Sequence, residues 1–184
     1  MRRHFLFETC AGFAAIGWGA SGISCFRLPA AGRGAAEHSL LARFPSSTAA
    51  EPPGEIAAVV DAACRYFMGE RIDFSTAPVD LGAQVPFFAR VYDFVRRLGW
   101  GETTTYGAVA RALGEGPEAA RAVGEAMARN PVPLIVPCHR VTAAGGRIGG
   151  FSAPGGATSK ARMLALEGAA PAAPSASPQM GFGF

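Results

Sequence analysis

The segment Pro137-Cys138-His139-Arg140-Val141 holds the residues of this chain best suited to chemistry. A cysteine thiol titrates near pH 8.5, so only a few per cent is thiolate, the reactive form, at neutral pH. A histidine that takes the proton, or nearby positive charge, raises that fraction, and His139 and Arg140 supply both residue types. Neighbours in an extended segment point to opposite faces, so Cys138 and His139 need a turn or a bridging water to cooperate. Two other readings stand beside the nucleophile. One is a buried structural cysteine, the common state of a free thiol. The other is a Cys-His hydrolase, whose usual flanking signatures are absent.

These residues need elements to position them. VPLIVP (132–137) reads as a short apolar strand delivering the chain into Cys138. Before it, PFFARVYDFVRRL places Phe88, Val91, Val95 and Leu98 on one helical face. TTYGAVARAL reads as a short helix burying Val109, Ala112 and Leu113. A Gly114-Glu115-Gly116 turn follows, with Pro117 suited to the first position of the next helix. That helix, PEAARAVGEAMAR, buries Ala120, Val123 and Met127 and ends at Asn130-Pro131, because the residue before proline avoids the α region. Two short helices around a glycine turn match a helix-turn-helix. After Val141 the pattern predicts a Gly-rich hairpin (AAGGRIGGF), a loop (SAPGGATS) and a last helix, KARMLALEG.

The first half is less regular. Residues 4–28 read as two short strands around Gly-rich turns, within HFLFETC, AAIGWG and GISCFRL. Pro29 to Pro53 reads as a loop region with one short helix near Leu40–Phe44, and Glu55–Gly69 as a helix burying Ile56, Val59, Val60, Ala63 and Phe67. IDFSTAPVDLGAQ marks the boundary between halves. The domains expected are 1–84, 85–168 and a disordered Ala/Pro-rich tail, 169–184.

Composition narrows the function classes. Of 184 residues 49% are hydrophobic and 17% charged, which excludes a wholly disordered chain. No run is long and apolar enough for a membrane span, so no membrane partner is expected. Residues 1–84 carry seven Lys+Arg against eight Asp+Glu, and residues 85–168 ten against six, so an anionic partner belongs to the second half. Cys10, Cys25, Cys64 and Cys138 show no CxxC spacing, which argues against a zinc ribbon or a disulfide scaffold. His4, Cys10, Cys25 and His38 match no standard ligand set, so neither metal nor cofactor is assigned. Glu8 and Thr9 interrupt the apolar stretch behind Arg2-Arg3, so an export signal is not expected, and a cytoplasmic location is.

NPVPLIVPCHRV (130–141) resembles the active-site segment of the methylated-DNA–protein-cysteine methyltransferases, the O6-alkylguanine-DNA alkyltransferases. GETTTYGAVARALG resembles their first DNA-binding helix, AARAVGEAMARNPVP their recognition helix and KARMLALEG their closing helix. FET, IGW, GI and LP fall as in their N-terminal half. The resemblance implies a mixed α/β (α+β) fold, a ribonuclease-H-like sheet-and-helix domain followed by a winged-helix-like domain carrying the site. It implies a DNA-repair enzyme that transfers an alkyl group from O6-alkylguanine in double-stranded DNA to its own cysteine, once per molecule, with O4-alkylthymine left open. The protein is expected to be a monomer without DNA.

By the same resemblance Cys138 is the acceptor, His139 the base acting through water, Glu167 its orienting carboxylate, and Asn130 the link between recognition helix and active-site segment. Tyr106 crowds the flipped nucleotide and donates to guanine N3, and Arg121 fills the vacated stack. Thr105, Ala120, Arg129 and Arg140 are further DNA contacts, with Arg96 and Arg97 as phosphate candidates and Arg140 alternatively a partner inside the site. Small Ala119, Ala120, Ala122 and Ala126 permit close approach to the minor groove. Val136, Pro137, Phe151 and Ser152 line the substrate pocket. Where the family commonly has Tyr-Ser-Gly-Gly, this chain has Phe151-Ser152-Ala153-Pro154-Gly155-Gly156, one hydroxyl fewer and two residues more. A lesion-binding protein without transfer is the runner-up. Such relatives lack the acceptor cysteine, whereas Cys138 is present. A helix-turn-helix regulator with a structural Cys138 leaves the joint occurrence of PCHRV, Asn130 and Glu167 unexplained.

Overall fold

The computed structural model describes residues 1–169. Three strands, not two, open the chain: β1 (Arg3–Thr9), β2 (Gly12–Gly19) and β3 (Gly22–Ala30) form an antiparallel meander. A short β4 (Thr48–Ala49) pairs parallel with β1, giving the order β3-β2-β1-β4. The strands are apolar on both faces because both are covered. Helix α1 (Arg33–Arg43) covers Leu6, Ala15 and Cys25 with Ala36 and Leu40, while α2 (Gly54–Phe67) covers Phe7, Ile16, Ile23 and Phe26 with Ile56, Val59, Val60 and Ala63. Helix α1 replaces the loop with a short helix read from the sequence, and it is nearly three turns long. Only two of its residues are buried, which leaves a weak apolar stripe amid Ala, Gly and Ser.

The segment read as a boundary packs along the edge of β3. Ile23 N–H donates to Pro78 O at 2.8 Å, Asp80 N–H to Ile23 O at 2.8 Å, and Phe26 N–H to Pro131 O at 2.9 Å, so the free edge of β3 is covered from both halves. Gly22 sits at φ 135°, where an added Cβ would lie 2.7 Å from Pro78 O. One hydrophobic core runs from the sheet through α2 into the second half.

There α3 (Pro86–Val95) buries Phe88, Val91, Tyr92 and Val95. Helix α4 (Tyr106–Ala112) is capped by Thr105, whose Oγ1 accepts from Ala108 N–H at 3.1 Å. It buries Val109 and Ala110, whereas Ala112, expected inside, is exposed. A 3-10 turn (Pro117–Ala119) leads into α5 (Ala120–Arg129), which buries Val123, Ala126 and Met127 while Ala120 stays half-buried. The short β5 (Thr104–Thr105) pairs in parallel with β6 (Val141–Thr142), so no hairpin follows Val141. Instead Ala143 N–H closes a turn on Arg147 O at 2.9 Å. The last helix, α6 (Gly156–Leu166), starts four residues before Lys160. Of the tail expected to be disordered, Ala169 is buried and donates to Leu164 O; 170–184 lie outside the described residues. No helix among the described residues is long and apolar enough to cross a membrane.

Candidate active site

Residues 132–137 form a buried turn rather than a strand. Asn130, at the C-cap of α5, organises it: Nδ2 donates to Val136 O at 2.8 Å and Oδ1 accepts from Val132 N–H at 3.0 Å. Val136 N–H bonds Val132 O, and Leu134 is held at φ 82°, a conformation a branched side chain rarely adopts. Such a residue persists only where its surroundings over-determine it, and Asn130 supplies that constraint at both ends of the turn.

The turn ends on a 3-10 turn, Cys138–Arg140, all three residues buried. The extended geometry that would part Cys138 from His139 is therefore absent. His139 Nε2 donates to Glu167 Oε1 at 2.7 Å, and Nδ1 is buried without a partner among the described residues. Burial pulls the His139 pKa down, and the Glu167 carboxylate only partly opposes this, so the contact is a hydrogen bond from a neutral ring rather than an ion pair. That fixes the tautomer: the proton is on Nε2, and Nδ1 is a free acceptor.

Glu167 is saturated with donors. Tyr66 Oη–H donates to Oε1 at 2.8 Å, Arg140 Nη2 to Oε1 at 2.9 Å, Arg140 Nε to Oε2 at 2.8 Å, and Gly101 N–H to Oε2 at 3.1 Å, besides His139. Burial alone would raise its pKa, but the hydrogen bond from His139 and the bonds and charge of Arg140 prevail and hold the carboxyl far below the usual range. It stays an anion and takes no proton. Arg140, expected at DNA, is 6% exposed and spent on this pair and on Leu98 O; it is the partner inside the site.

Cys138 opens onto a cavity of about 410 Å³ lined by Tyr106, Gly124, Met127, Ala128, Gly150, Phe151 and Ser152. Val136 and Pro137, expected in the lining, lie behind it: their carbonyls accept from Asn130, Cys138 and Arg140, so they shape the backbone rather than the pocket wall. Burial raises the Cys138 pKa, while Asn130 and Lys160 pull the other way, so the resting group is a thiol. Lys160 on α6 is fully buried, with no carboxylate partner among the described residues. Its Nζ donates to Val141 O at 2.5 Å and lies 3.4 Å from both Tyr106 Oη and Gly150 O. Burial lowers its pKa to about 8, opposed by Cys138. Gly149, at φ 78°, lets the loop pass Tyr106, since a Cβ there would sit 3.2 Å from the ring.

Ser152 donates to Ala128 O at 3.1 Å, which ties the lengthened loop to the end of α5. Arg121 projects from the first turn of α5 and is exposed, as is Arg97. Arg129 pairs with Glu125 and lies over the Phe88 ring, and Arg96 bonds Ala77 O. Ala126 is wholly inside, so only Ala119, Ala120 and Ala122 remain for close approach on that surface. Sequence reasoning missed Tyr66, Lys160, Gly124, Met127, Ala128 and Gly150. Tyr66 is one of the buried positions of α2 and Lys160 one of those of α6, and in the sequence neither stands out from its neighbours.

The family model "6-O-methylguanine DNA methyltransferase, DNA binding domain" matches residues 86–169. A methylated-DNA–protein-cysteine methyltransferase of Metallosphaera sedula is 46% identical over 103 residues, covering 56% of this chain and 62% of its own length, less than two thirds. A DNA base-flipping protein of Thermus thermophilus is 44% identical over 111 residues, 60% of this chain and 72% of its own. The structure of Mycobacterium tuberculosis OGT in complex with DNA superposes with a TM-score of 0.73 at 31% identity, covering 92% of this chain and 96% of that one. With the buried Cys138 thiol, the buried His139 imidazole and the flanking helices of the described site, these likenesses place the chain in the methylated-DNA–protein-cysteine methyltransferase family.

Proposed function

We propose that this protein repairs DNA by moving an alkyl group from O6 of guanine to Cys138. The observation that carries the reading is a buried thiol at the base of a cavity of about 410 Å³, next in sequence to a neutral imidazole whose Nδ1 has no partner among the described residues. The thiol proton passes through a water to His139 Nδ1. The sulfur then attacks the alkyl carbon, the S–C bond forming as the C–O6 bond breaks. Negative charge moves into the departing guanine, and Tyr106 donates a proton to N3. Lys160, 3.4 Å behind that hydroxyl, favours both the thiolate and the charged base, and the proton on His139 returns through solvent to Tyr106. The alkyl group stays on sulfur, so each molecule turns over once.

A stacked base cannot present its alkyl carbon to this cavity, so the nucleotide must leave the duplex. Arg121, exposed on α5, fills the gap, and Arg97 and Arg129 meet phosphates. We infer a ribonuclease-H-like first domain (1–84), a winged-helix-like second domain (85–168), a monomer without DNA and a cytoplasmic location. The lesion-binding alternative has no use for the nucleophile and its base.

Mass spectrometry after mixing with a duplex carrying one O6-methylguanine tests the reading. One methyl group per molecule on the Cys138 peptide, absent in Cys138→Ala, is the expected result. Tight lesion binding with no transfer would favour the alternative.

A further inference from the structure

The proposed chemistry needs His139 neutral, yet a buried carboxylate 2.7 Å from Nε2 draws a proton onto the ring. Something must blunt Glu167. Arg140 does part of this with its fork. The other group comes from the far end of the chain: Tyr66, the last buried residue of α2, is fully enclosed and aims its hydroxyl at the same oxygen that serves His139.

We propose that Tyr66 is a positioning residue for the transfer: by donating to Glu167 Oε1 it withholds that oxygen in part from His139, keeping the imidazole neutral and Nδ1 open for the Cys138 proton. The inference rests on the transfer reading.

Two contacts of the hydroxyl compete in sign. Its bond to the carboxylate is 2.8 Å, charge-assisted, and lowers the basicity of Glu167. Its contact with His139 Nε2 is 3.3 Å and would favour a charged ring, but at that length it is the weaker of the two. Burial, then the Glu167 charge, pushes the Tyr66 pKa well above its ordinary value, so the hydroxyl remains a donor at every working pH. The other groups facing His139 are Lys160 on α6 and Arg140 and Cys138 on its own turn. The ring is set independently of the hydroxyl: Trp100 (5.4 Å between centroids), Phe67 (5.1 Å) and Phe74 (6.1 Å) pack around it. Tyr66→Phe therefore removes the bond and keeps the packing.

The chain has three histidines, His4, His38 and His139, so the His139 ring can be followed by NMR across a pH titration. In Tyr66→Phe its midpoint is expected to rise by at least about half a pH unit, a threefold change in proton affinity. The acid limb of the methyl-transfer rate is expected to move the same way. An unchanged or lowered midpoint overturns the proposal, because a purely structural tyrosine would leave it unmoved. In the parent protein the bond itself predicts a slowly exchanging Tyr66 hydroxyl proton close to the His139 ring, and its absence counts equally against. If the parent transfers no methyl group while the midpoint still shifts, the transfer reading fails and the tie between Tyr66 and His139 stands.

Discussion

Arg140 closes a two-pronged bond on Glu167, Nε to Oε2 at 2.8 Å and Nη2 to Oε1 at 2.9 Å, with the carboxylate side chain wholly inaccessible and the guanidinium 7% exposed. The pair joins the turn that carries Cys138 to the end of α6. Planar, bidentate geometry of this kind suits arginine and not lysine.

Glu167→Gln leaves the Arg140 charge buried without its counter-ion. Removing one partner of a buried pair costs about 3–5 kcal/mol, and denaturant titration at pH 7 is expected to show a loss of that size. The effect has a pH signature. Because the folded carboxyl is held below its ordinary value of 4.5, its stabilisation is present above that value and fades as pH falls through the depressed folded pKa. The gap between parent and variant should therefore narrow on acidification below pH 4.5. A gap independent of pH would mean that Glu167 is not the stabilising anion.

The chemistry of this site was more legible in the sequence than its architecture. PCHRV and Asn130 sit in one contiguous stretch, and it is the resemblance of that stretch to the family's active-site segment that implies their roles. The turn at 132–137 was hidden because an apolar run without alternation reads equally as a strand or as buried coil, and what decides it is the side chain of Asn130 binding Val132 and Val136. Arg140 read as a cation for DNA because charge in a sequence carries no direction. Only the fold brings it to Glu167, 27 positions on. Tyr66 reaches the same carboxylate across 101 positions, a distance no local pattern encodes.

Asn130→Ala should damage the scaffold before the chemistry. Two buried bonds are lost, at 2.8 and 3.0 Å, and the left-handed Leu134 loses its restraint. Val136 O keeps its bond from Cys138 N–H, but Val132 N–H is left buried and unpaired at a cost of roughly 1–3 kcal/mol, so urea titration is expected to show a loss of about 1–3 kcal/mol in unfolding free energy. A variant as stable as the parent would show that the turn holds itself.

Lys160 sets function against stability. In the unfolded chain its pKa is 10.5 and in the fold about 8, so below pH 8 burying the ammonium costs on the order of 3 kcal/mol. As pH rises from 8 to 10.5 the folded protein sheds a proton that the unfolded chain still holds, and that cost disappears. Lys160→Met never incurs it. The difference in unfolding free energy between parent and variant should shift in favour of the parent by about 3 kcal/mol over that window, while transfer at neutral pH slows at least about tenfold for want of the charge behind Tyr106. A difference flat in pH would mean that the fold does not lower the lysine's pKa, because the folded and unfolded chains would then shed the proton together.

If Arg121 fills the vacated stack, as proposed, its loss separates base extrusion from alkyl transfer. It stands exposed on the first turn of α5, outside the lining of the Cys138 cavity, so it has no means of touching a guanine already seated there. Its contribution arises only when a base must be drawn from a stack, a step that costs a few kcal/mol in duplex DNA and nothing for the free base. Arg121→Ala is expected to slow methyl transfer from an O6-methylguanine duplex by about tenfold or more, and transfer from free O6-methylguanine by less than about twofold. Single-turnover rates on the two substrates, measured side by side, read the ratio directly. Equal slowing on both would remove Arg121 from the stack and place its effect in the fold of α5.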